Sequence, residues 1–290
     1  MSILPIDTGR YGTKEMLDIF KEQKKIDYQL DIEAAAVLSQ SEIGLIPTSI
    51  ARNISKIAKS GKITAKRIKQ LEAKSDHDTA ALVEALAEKC NKESRPWIHY
   101  GLTSNDLVDT SNSMQMRDAI KIIQPKVSKL SLLLSKNAIK HRSIPAVGRT
   151  HGQHASIISF GLKFANWAAE MSTHLERLDE IKKRVLICKT LGVVGTGSLM
   201  GKNAVKVQER VAKKLGLYSA KVTTQIIPRE RYAEYIFQLA LLGATLEKIA
   251  IEIRNLQRTE IAEVSEHFKK GQMGSSACLL YTSPSPRDAT

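Results

Sequence analysis

The chain has 290 residues, of which 42% are hydrophobic and only 5% aromatic. This composition supports a sizeable core, argues against global disorder and favours helices over a β-sandwich. We interpret most of the formal net charge of +14 as a Lys-rich helical surface, with attraction of an anionic ligand as the alternative. The few aromatic residues are not interleaved with the basic ones, which argues against nucleic-acid binding as the main function.

The cysteines and the apolar runs indicate a cellular compartment. Cys90, Cys188 and Cys278 form no CxxC pair and no disulfide framework. The N-terminus has no basic-then-apolar signal, and no apolar run approaches the roughly 20 residues of a membrane span. We therefore expect a soluble cytoplasmic protein with no membrane partner.

Apolar periodicity and breaker residues predict a succession of helices. Pro47 separates the first from the second, Pro96 and Gly101 bracket a loop, and Asn105 or Asp106 is expected to cap the long helix that follows. The predicted helices cover about residues 13–45, 50–57, 68–71, 79–89, 108–140, 156–188 and 229–265.

The last of these helices carries the clearest pattern. Its apolar residues follow a 3-4-3-4-3 spacing, which is the seam of a helix that packs at a shallow angle against other long helices. The alternative, a solitary amphipathic helix on a sheet, is disfavoured because strand-period alternation is almost absent. The fold class predicted is an all-α bundle of unusually long helices. The seam consists of Leu239, Leu242, Leu246, Ile249, Ile253 and Leu256.

Two segments imitate other kinds of site. The glycine-rich stretch Gly192–Lys202 suggests a phosphate loop, but a Walker A pattern would need Gly in place of Thr196 and Ser or Thr in place of Asn203. We interpret it as a tight connection between helices that no strand precedes. His151 and His154 have the spacing of metal ligands, but no Cys or acidic residue accompanies them at ligand spacing, so no metal site is predicted.

Polar clusters interrupt the helical pattern. Each one alone is explained by helix caps or loop hydrogen bonds, but three clusters that contain His, together with a Gly-flanked serine pair, suggest acid and base groups that converge in one cleft. Histidine suits proton transfer near neutral pH, whereas a serine base needs donors that stabilise its alkoxide. The clusters are residues 75–78, 97–106 and 148–154, and the serine pair is Ser275 and Ser276 in residues 271–277.

These clusters, their order and their spacing resemble the adenylosuccinate lyases of the fumarase/aspartase superfamily. The best matches are Trp97–Thr110, Gly148–Trp167 and Arg254–Ala277, and the resemblance covers residues 1–277. The combination of Gly-Leu-Thr-Ser-Asn-Asp with Gly-Arg-Thr-His-Gly-Gln-His favours the adenylosuccinate branch over fumarase, aspartase and argininosuccinate lyase. It implies an N-terminal helical domain at 1–103 with substrate-binding loops, and at 104–277 part of a central long-helix bundle that is incomplete at its C-terminus.

The resemblance also implies a role for individual residues. His151 matches the general acid that protonates the departing nitrogen, Ser275 the general base that removes the Cβ proton, and His77 a histidine that orients the substrate and supports the acid. The implied substrate-binding residues are Arg10, Tyr11, Asp76, Asp78, His99, Thr103, Ser104 and Gln225. Asp76 is a less usual residue at its position.

The implied reaction is an anti β-elimination that gives fumarate and AMP, with the succinyl-carboxamide ribotide of purine synthesis as a second substrate. No cofactor and no metal are implied, and the anionic substrates suit a basic protein. The family builds each active site from three subunits of a homotetramer. Another lyase of the superfamily, such as argininosuccinate lyase, and a non-catalytic helical scaffold are the alternatives.

Residues 278–290 depart from the family. The family's serine loop continues into Met-Pro-x-Lys-x-Asn, but here Cys278-Leu279-Leu280 follows, and the tail resembles a reading-frame translation of a sequencing adaptor. We expect residues 278–290 to be non-native. Because the loop lysine and the last bundle helices are missing, we expect the chain as written to be inactive and poorly soluble.

Overall fold

Helices dominate residues 11–265, which are the residues that the computed structural model describes. The helices are α1 Lys14–Ile19, α2 Glu22–Ser41, α3 Thr48–Ala58, α4 Ala65–Ser75, α5 Asp78–Lys89, α6 Ser104–Lys140, α7 Phe160–Val185, α8 Ala204–Leu215 and α9 Glu230–Leu256. The strands are β1 Pro145–Thr150, β2 Gln153–Ser159, β3 Ile187–Cys188 and β4 Tyr218–Ser219. The predicted all-α bundle of long helices is confirmed, with two small two-stranded sheets added to it. No helix among residues 11–265 is long and apolar enough to cross a membrane.

A hydrophobic core joins the helices of the N-terminal half to α6, α7 and α8. Its fully buried members include Ile32 of α2, Leu82 of α5, Leu107 of α6 and Leu178 of α7. The described residues divide into one unit that ends at Leu242 and another that begins at Gly243. The boundary predicted between residues 103 and 104 stays a prediction.

Several predicted helix boundaries were wrong. The first predicted helix is broken at Phe20 and Lys21, and the last ends at Leu256 rather than near residue 265. Helix α8 was not predicted, although Val207, Val211 and Leu215 bury one face of it at helical spacing.

The segment before α7 is the largest difference. Residues 153–159, which were partly assigned to a helix, form β2 and pair with β1 in an antiparallel hairpin. Most of β2 is exposed, and Ile157 is 84% exposed. A strand with both faces in solvent needs no alternation of apolar and polar residues, so no strand pattern is visible in this segment.

Candidate active-site loops

The turn that begins α6 contains Thr103 and Ser104, both predicted to bind substrate. Thr103 is the N-cap of α6, and its backbone N–H donates to Oδ2 of Asp106 at 3.0 Å, as in a capping box. Thr103 is buried and Ser104 is half-buried. The prediction that Asn105 or Asp106 occupies the cap position was wrong, because Asp106 supports the cap from inside the first turn.

Asp106 also holds a distant part of the chain. Its Oδ1 accepts a hydrogen bond from Nζ of Lys189, and its Oδ2 accepts one from the backbone N–H of Gly192 at 2.9 Å. The side chains of Asp106 and Lys189 are both completely buried. Burial raises the pKa of the Asp106 carboxyl, and the Lys189 ammonium and the two N–H groups counteract that rise. This ion pair fixes the segment after β3 against the start of α6.

The glycine-rich stretch at 192–202 therefore packs against the Gly-Leu-Thr-Ser-Asn-Asp motif at residues 101–106. Met200 packs on Gly101, and the Tyr100 hydroxyl is 3.4 Å from the carbonyl oxygen of Leu199. The short strand β3 comes before this stretch, so the expectation that no strand precedes it was wrong. The stretch connects α7 to α8 and lies beside the predicted substrate-binding turn.

The segment that contains Gln225 also contacts the glycine-rich stretch. Gly195 has a φ of +78°, and a Cβ on it would lie 2.2 Å from the carbonyl oxygen of Thr223. Gln225 itself is exposed. Just beyond it, the backbone N–H of Ile227 donates to Asp109 of α6 at 2.8 Å. The predicted residues Thr103, Ser104 and Gln225 thus belong to segments that the first turns of α6 and the glycine-rich stretch hold together.

Arg229 and Tyr232 also bind Asp109. Nη1 of Arg229 lies 2.6 Å from Oδ1 of Asp109, and the Tyr232 hydroxyl donates to the same oxygen at 3.1 Å. The hydrogen bond with Asp109 raises the pKa of the Arg229 guanidinium. Because Arg229 is 49% exposed while Asp109 is buried, a cation remains accessible at this edge of the site.

His99 is held from the opposite side, by α2. Its Nδ1 lies 2.6 Å from Oε1 of Glu33, and its backbone N–H donates to Oε2 of Glu33 at 3.1 Å. Glu33 is completely buried and the His99 side chain is 20% exposed. Burial alone would lower the pKa of His99, but the hydrogen bond and charge of Glu33 outweigh it, so the pKa is raised.

His77 is the N-cap of α5. Its Nδ1 accepts a hydrogen bond from the backbone N–H of Ala80 at 3.3 Å, which leaves a ring proton on Nε2 for a substrate. Asp76 ends α4 in the left-handed conformation, with φ of 51°. Oδ1 of Asp78 accepts from the N–H of Thr79 at 2.6 Å. All three predicted residues are exposed, so they are accessible to a ligand.

The β1–β2 hairpin presents His151 at its tip. His151 and Gly152 form the two-residue turn with φ of 53° and 72°, as a type I′ turn requires. The base of the hairpin is attached to the C-terminal end of α6, where the N–H of Gly161 donates to the carbonyl of His141 at 3.1 Å. His151 is exposed, and His154 pairs with Arg149 across the hairpin.

The length of α6 separates His151 from Thr103 within one chain. At about 1.5 Å per residue, Ser104–Lys140 spans roughly 55 Å. Even fully extended, residues 141–151 reach at most about 36 Å, so at least roughly 20 Å remains between the two residues. One chain does not bring the predicted acid to the predicted binding turn.

Three predicted residues lie at or beyond the ends of the described range. Tyr11 is 70% exposed. Arg10 and Ser275 lie outside the described residues. Their roles stay predictions.

Four charged residues of these contacts were not predicted: Glu33, Lys189, Asp109 and Arg229. Two of them are charged residues in otherwise apolar stretches of the sequence. Glu33 precedes an Ala-Ala-Ala-Val run, and Lys189 lies between Ile-Cys and Thr-Leu. A charge inside an apolar run must be paired when it is buried. The sequence does not show which residue is the partner: His99 is 66 positions from Glu33, and Asp106 is 83 positions from Lys189.

Comparison with known proteins agrees with this long-helix architecture. A family profile described as a lyase matches residues 9–278. The chain therefore belongs to this lyase family, within the fumarase/aspartase superfamily. A fumarate lyase from a Mesorhizobium species has a similar structure, with a TM-score of 0.82 and 31% identity over 88% of this chain and 61% of that one.

Curated relatives give a narrower indication. The chain is 44% identical to an adenylosuccinate lyase of Methanocaldococcus jannaschii over 277 residues, which are 95% of this chain and 60% of that protein. It is 38% identical to an adenylosuccinate lyase of Thermotoga maritima over 92% of this chain and 61% of that protein. The chain spans about three fifths of the length of these relatives.

Proposed function

We propose that this polypeptide supplies active-site segments of an adenylosuccinate lyase, which cleaves adenylosuccinate to fumarate and AMP and also cleaves the succinyl-carboxamide ribotide. The observation that carries the proposal is the joined Thr103–Ser104 turn, glycine-rich stretch and Gln225 segment. This is the part of the chain in which the family motif and the tertiary contacts coincide. The relatives named adenylosuccinate lyase support the substrate.

The proposed chemistry divides between two groups. His151 protonates the departing nitrogen and Ser275 removes the Cβ proton, and His77 orients the substrate through its Nε2–H. Thr103 and Ser104, at the positive end of the helix dipole of α6, bind a carboxylate or phosphate group. Donors fixed in place before the reaction stabilise the dianionic intermediate. The proposal needs no metal and no cofactor.

We further propose that the site is shared between copies in a homotetramer in the cytoplasm. The separation of His151 from Thr103 along α6 supports this, because a hairpin at one end of a long helix can reach the opposite end of an antiparallel copy. Exposed apolar side chains on α6 supply surface for such packing: Leu132, Leu133 and Ile139.

The first experiment is to sequence the source locus across codon 277 and to assay the encoded protein for adenylosuccinate cleavage by ultraviolet absorbance. We expect Met-Pro-x-Lys-x-Asn after Ala277 and activity in that protein, but none in the 290-residue chain. Argininosuccinate is tested in parallel. An encoded Cys-Leu-Leu continuation without activity would leave the non-catalytic scaffold as the better explanation.

Mixing two inactive variants tests the shared site. In the encoded protein, His151→Gln and Thr103→Ala are each expected to lower kcat/KM by about 100-fold or more, since each removes a group that acts on the substrate. Copies that carry different variants assemble some intact sites, so activity should return on mixing. Mixing Thr103→Ala with Ser104→Ala, which both lie in the turn that begins α6, is the control and should regain no activity. Failure of the first mixture to regain activity would contradict sharing.

A further inference from the structure

The carboxylate of Glu33 is buried in the middle of α2. Its side chain is 0% exposed, and the residues that follow it, Ala34–Val37, are apolar and also buried. An ionised carboxylate in such a place is costly unless it is paired. The burial of this carboxylate is therefore explained by its partner, which is His99.

The contact fixes both the backbone and the ring of His99. This residue has a φ of +60°, which is unfavourable for any residue other than glycine. Oε2 of Glu33 holds the backbone N–H and Oε1 holds Nδ1, so one carboxylate stabilises the strained backbone and orients the imidazole. Gln40, two helical turns further along α2, donates to the carbonyl of Tyr100 at 2.7 Å and anchors the next residue.

The orientation leaves the other ring nitrogen available. Because Nδ1 faces Glu33, Nε2 is directed away from α2, and among residues 11–265 it has no hydrogen-bond partner. The charged groups around the ring are Glu33 on α2 and Asp106 on α6, and Lys189 pairs with Asp106. Two carboxylates against one ammonium favour a protonated ring.

We propose that Glu33 is a positioning residue that keeps His99 an imidazolium and directs its Nε2–H toward an anionic phosphate or carboxylate group of the ligand. This deepens the proposed function and rests on it for the identity of the ligand. It adds a residue 66 positions away from the motif, and it gives that residue two separable actions: it sets the charge of the ring and it sets the ring's direction.

The test is a histidine titration of the protein encoded at the source locus by ¹⁵N nuclear magnetic resonance, because imidazole nitrogen shifts report protonation and tautomer at each ring. We expect His99 to titrate above the 6.5 of a free imidazole. In Glu33→Gln its midpoint should fall below that value, because burial persists after the carboxylate is lost. Glu42→Gln, at the end of the same helix and paired with Arg210 and Lys214, should leave the His99 midpoint in place.

Ligand binding is followed at the same resonance. Inorganic phosphate or fumarate is added near pH 7, and a shift of the His99 Nε2 signal with either one supports the anion site and says which group it takes. We expect that shift to disappear in Glu33→Gln and to persist in Glu42→Gln. A neutral His99 at pH 7 in the unsubstituted chain, or no response to either anion, would overturn the proposal.

These readouts do not depend on the reaction. If the encoded protein has no lyase activity but His99 titrates and binds anions as expected, the proposed function fails and the role of Glu33 stands. If activity is present and His99 is neutral, the role of Glu33 fails alone. Should Glu33→Gln not fold, the titration of the unsubstituted chain still decides whether His99 is charged.

Discussion

The ammonium of Lys189 donates to the carboxylate of Asp106 across 83 residues of sequence, and solvent reaches neither side chain. The same carboxylate accepts from the backbone N–H groups of Thr103 and Gly192. One buried ion pair thus joins the predicted substrate-binding turn to the glycine-rich stretch, so its loss affects the stability of the fold and the geometry of the site together.

Replacing Lys189 by alanine should therefore be strongly destabilising. The substitution leaves the Asp106 carboxylate buried without its cation, and we expect the free energy of unfolding to fall by about 3–5 kcal/mol. Urea unfolding measures it. Lys69→Ala, which breaks the exposed pair of Lys69 with Glu22, should cost at most about 1 kcal/mol. Equal costs would show that the buried pair does not stabilise the fold.

Gly195→Ala should cost more than Gly152→Ala. Both glycines have positive φ, so each substitution carries a backbone penalty of about 1 kcal/mol. At Gly195 the new Cβ also meets the Thr223 carbonyl, whereas nothing lies within 4 Å at Gly152. We expect a larger fall in melting temperature for Gly195→Ala and altered backbone resonances near Gln225. Unchanged resonances there would contradict the close approach.

His77 offers a way to separate stability from catalysis. His77→Ala removes the cap of α5 and should cost about 1 kcal/mol, whereas His77→Asn can still accept the N–H of Ala80 and should be near neutral. Thermal unfolding of the 290-residue chain measures both. In the protein encoded at the locus, both variants should lose activity, since both lack the imidazole. Full activity in His77→Asn would refute an acid–base or orienting role.

The contact of Glu33 with His99 makes stability depend on pH in a defined direction. The pKa of His99 is raised in the folded state, so its contribution is fully present below the unfolded value of about 6.5 and is lost as pH rises through the folded pKa. The difference in unfolding free energy between the unsubstituted chain and Glu33→Gln should therefore be largest below about pH 6.5 and shrink as the pH rises above it. Urea unfolding over a series of pH values on both sides of about 6.5 tests this, and a constant difference would contradict it.

The helices whose apolar residues recur at helical spacing could be read from the sequence. Helices α3 and α5 lie within a few residues of their predicted bounds, because their apolar residues face one core and breakers or caps flank them. The family motifs at 101–106 and 148–154 were also legible in the sequence, since each places specific polar residues in a fixed order. Several residues of the candidate site, including Thr103, Ser104 and His151, were predicted from those motifs.

Tertiary structure alone decided which of these residues lie together. The first turns of α6 meet the glycine-rich stretch through Asp106 and Lys189, His99 turns toward Glu33, and α6 holds His151 far from Thr103. The hairpin at 145–159 was equally hidden, because its exposed strands need no apolar alternation. Apolar periodicity and helix caps involve residues only a few positions apart, so both can be recognised in the sequence. The partner of a buried charge is set by how distant segments pack, and no local pattern encodes that.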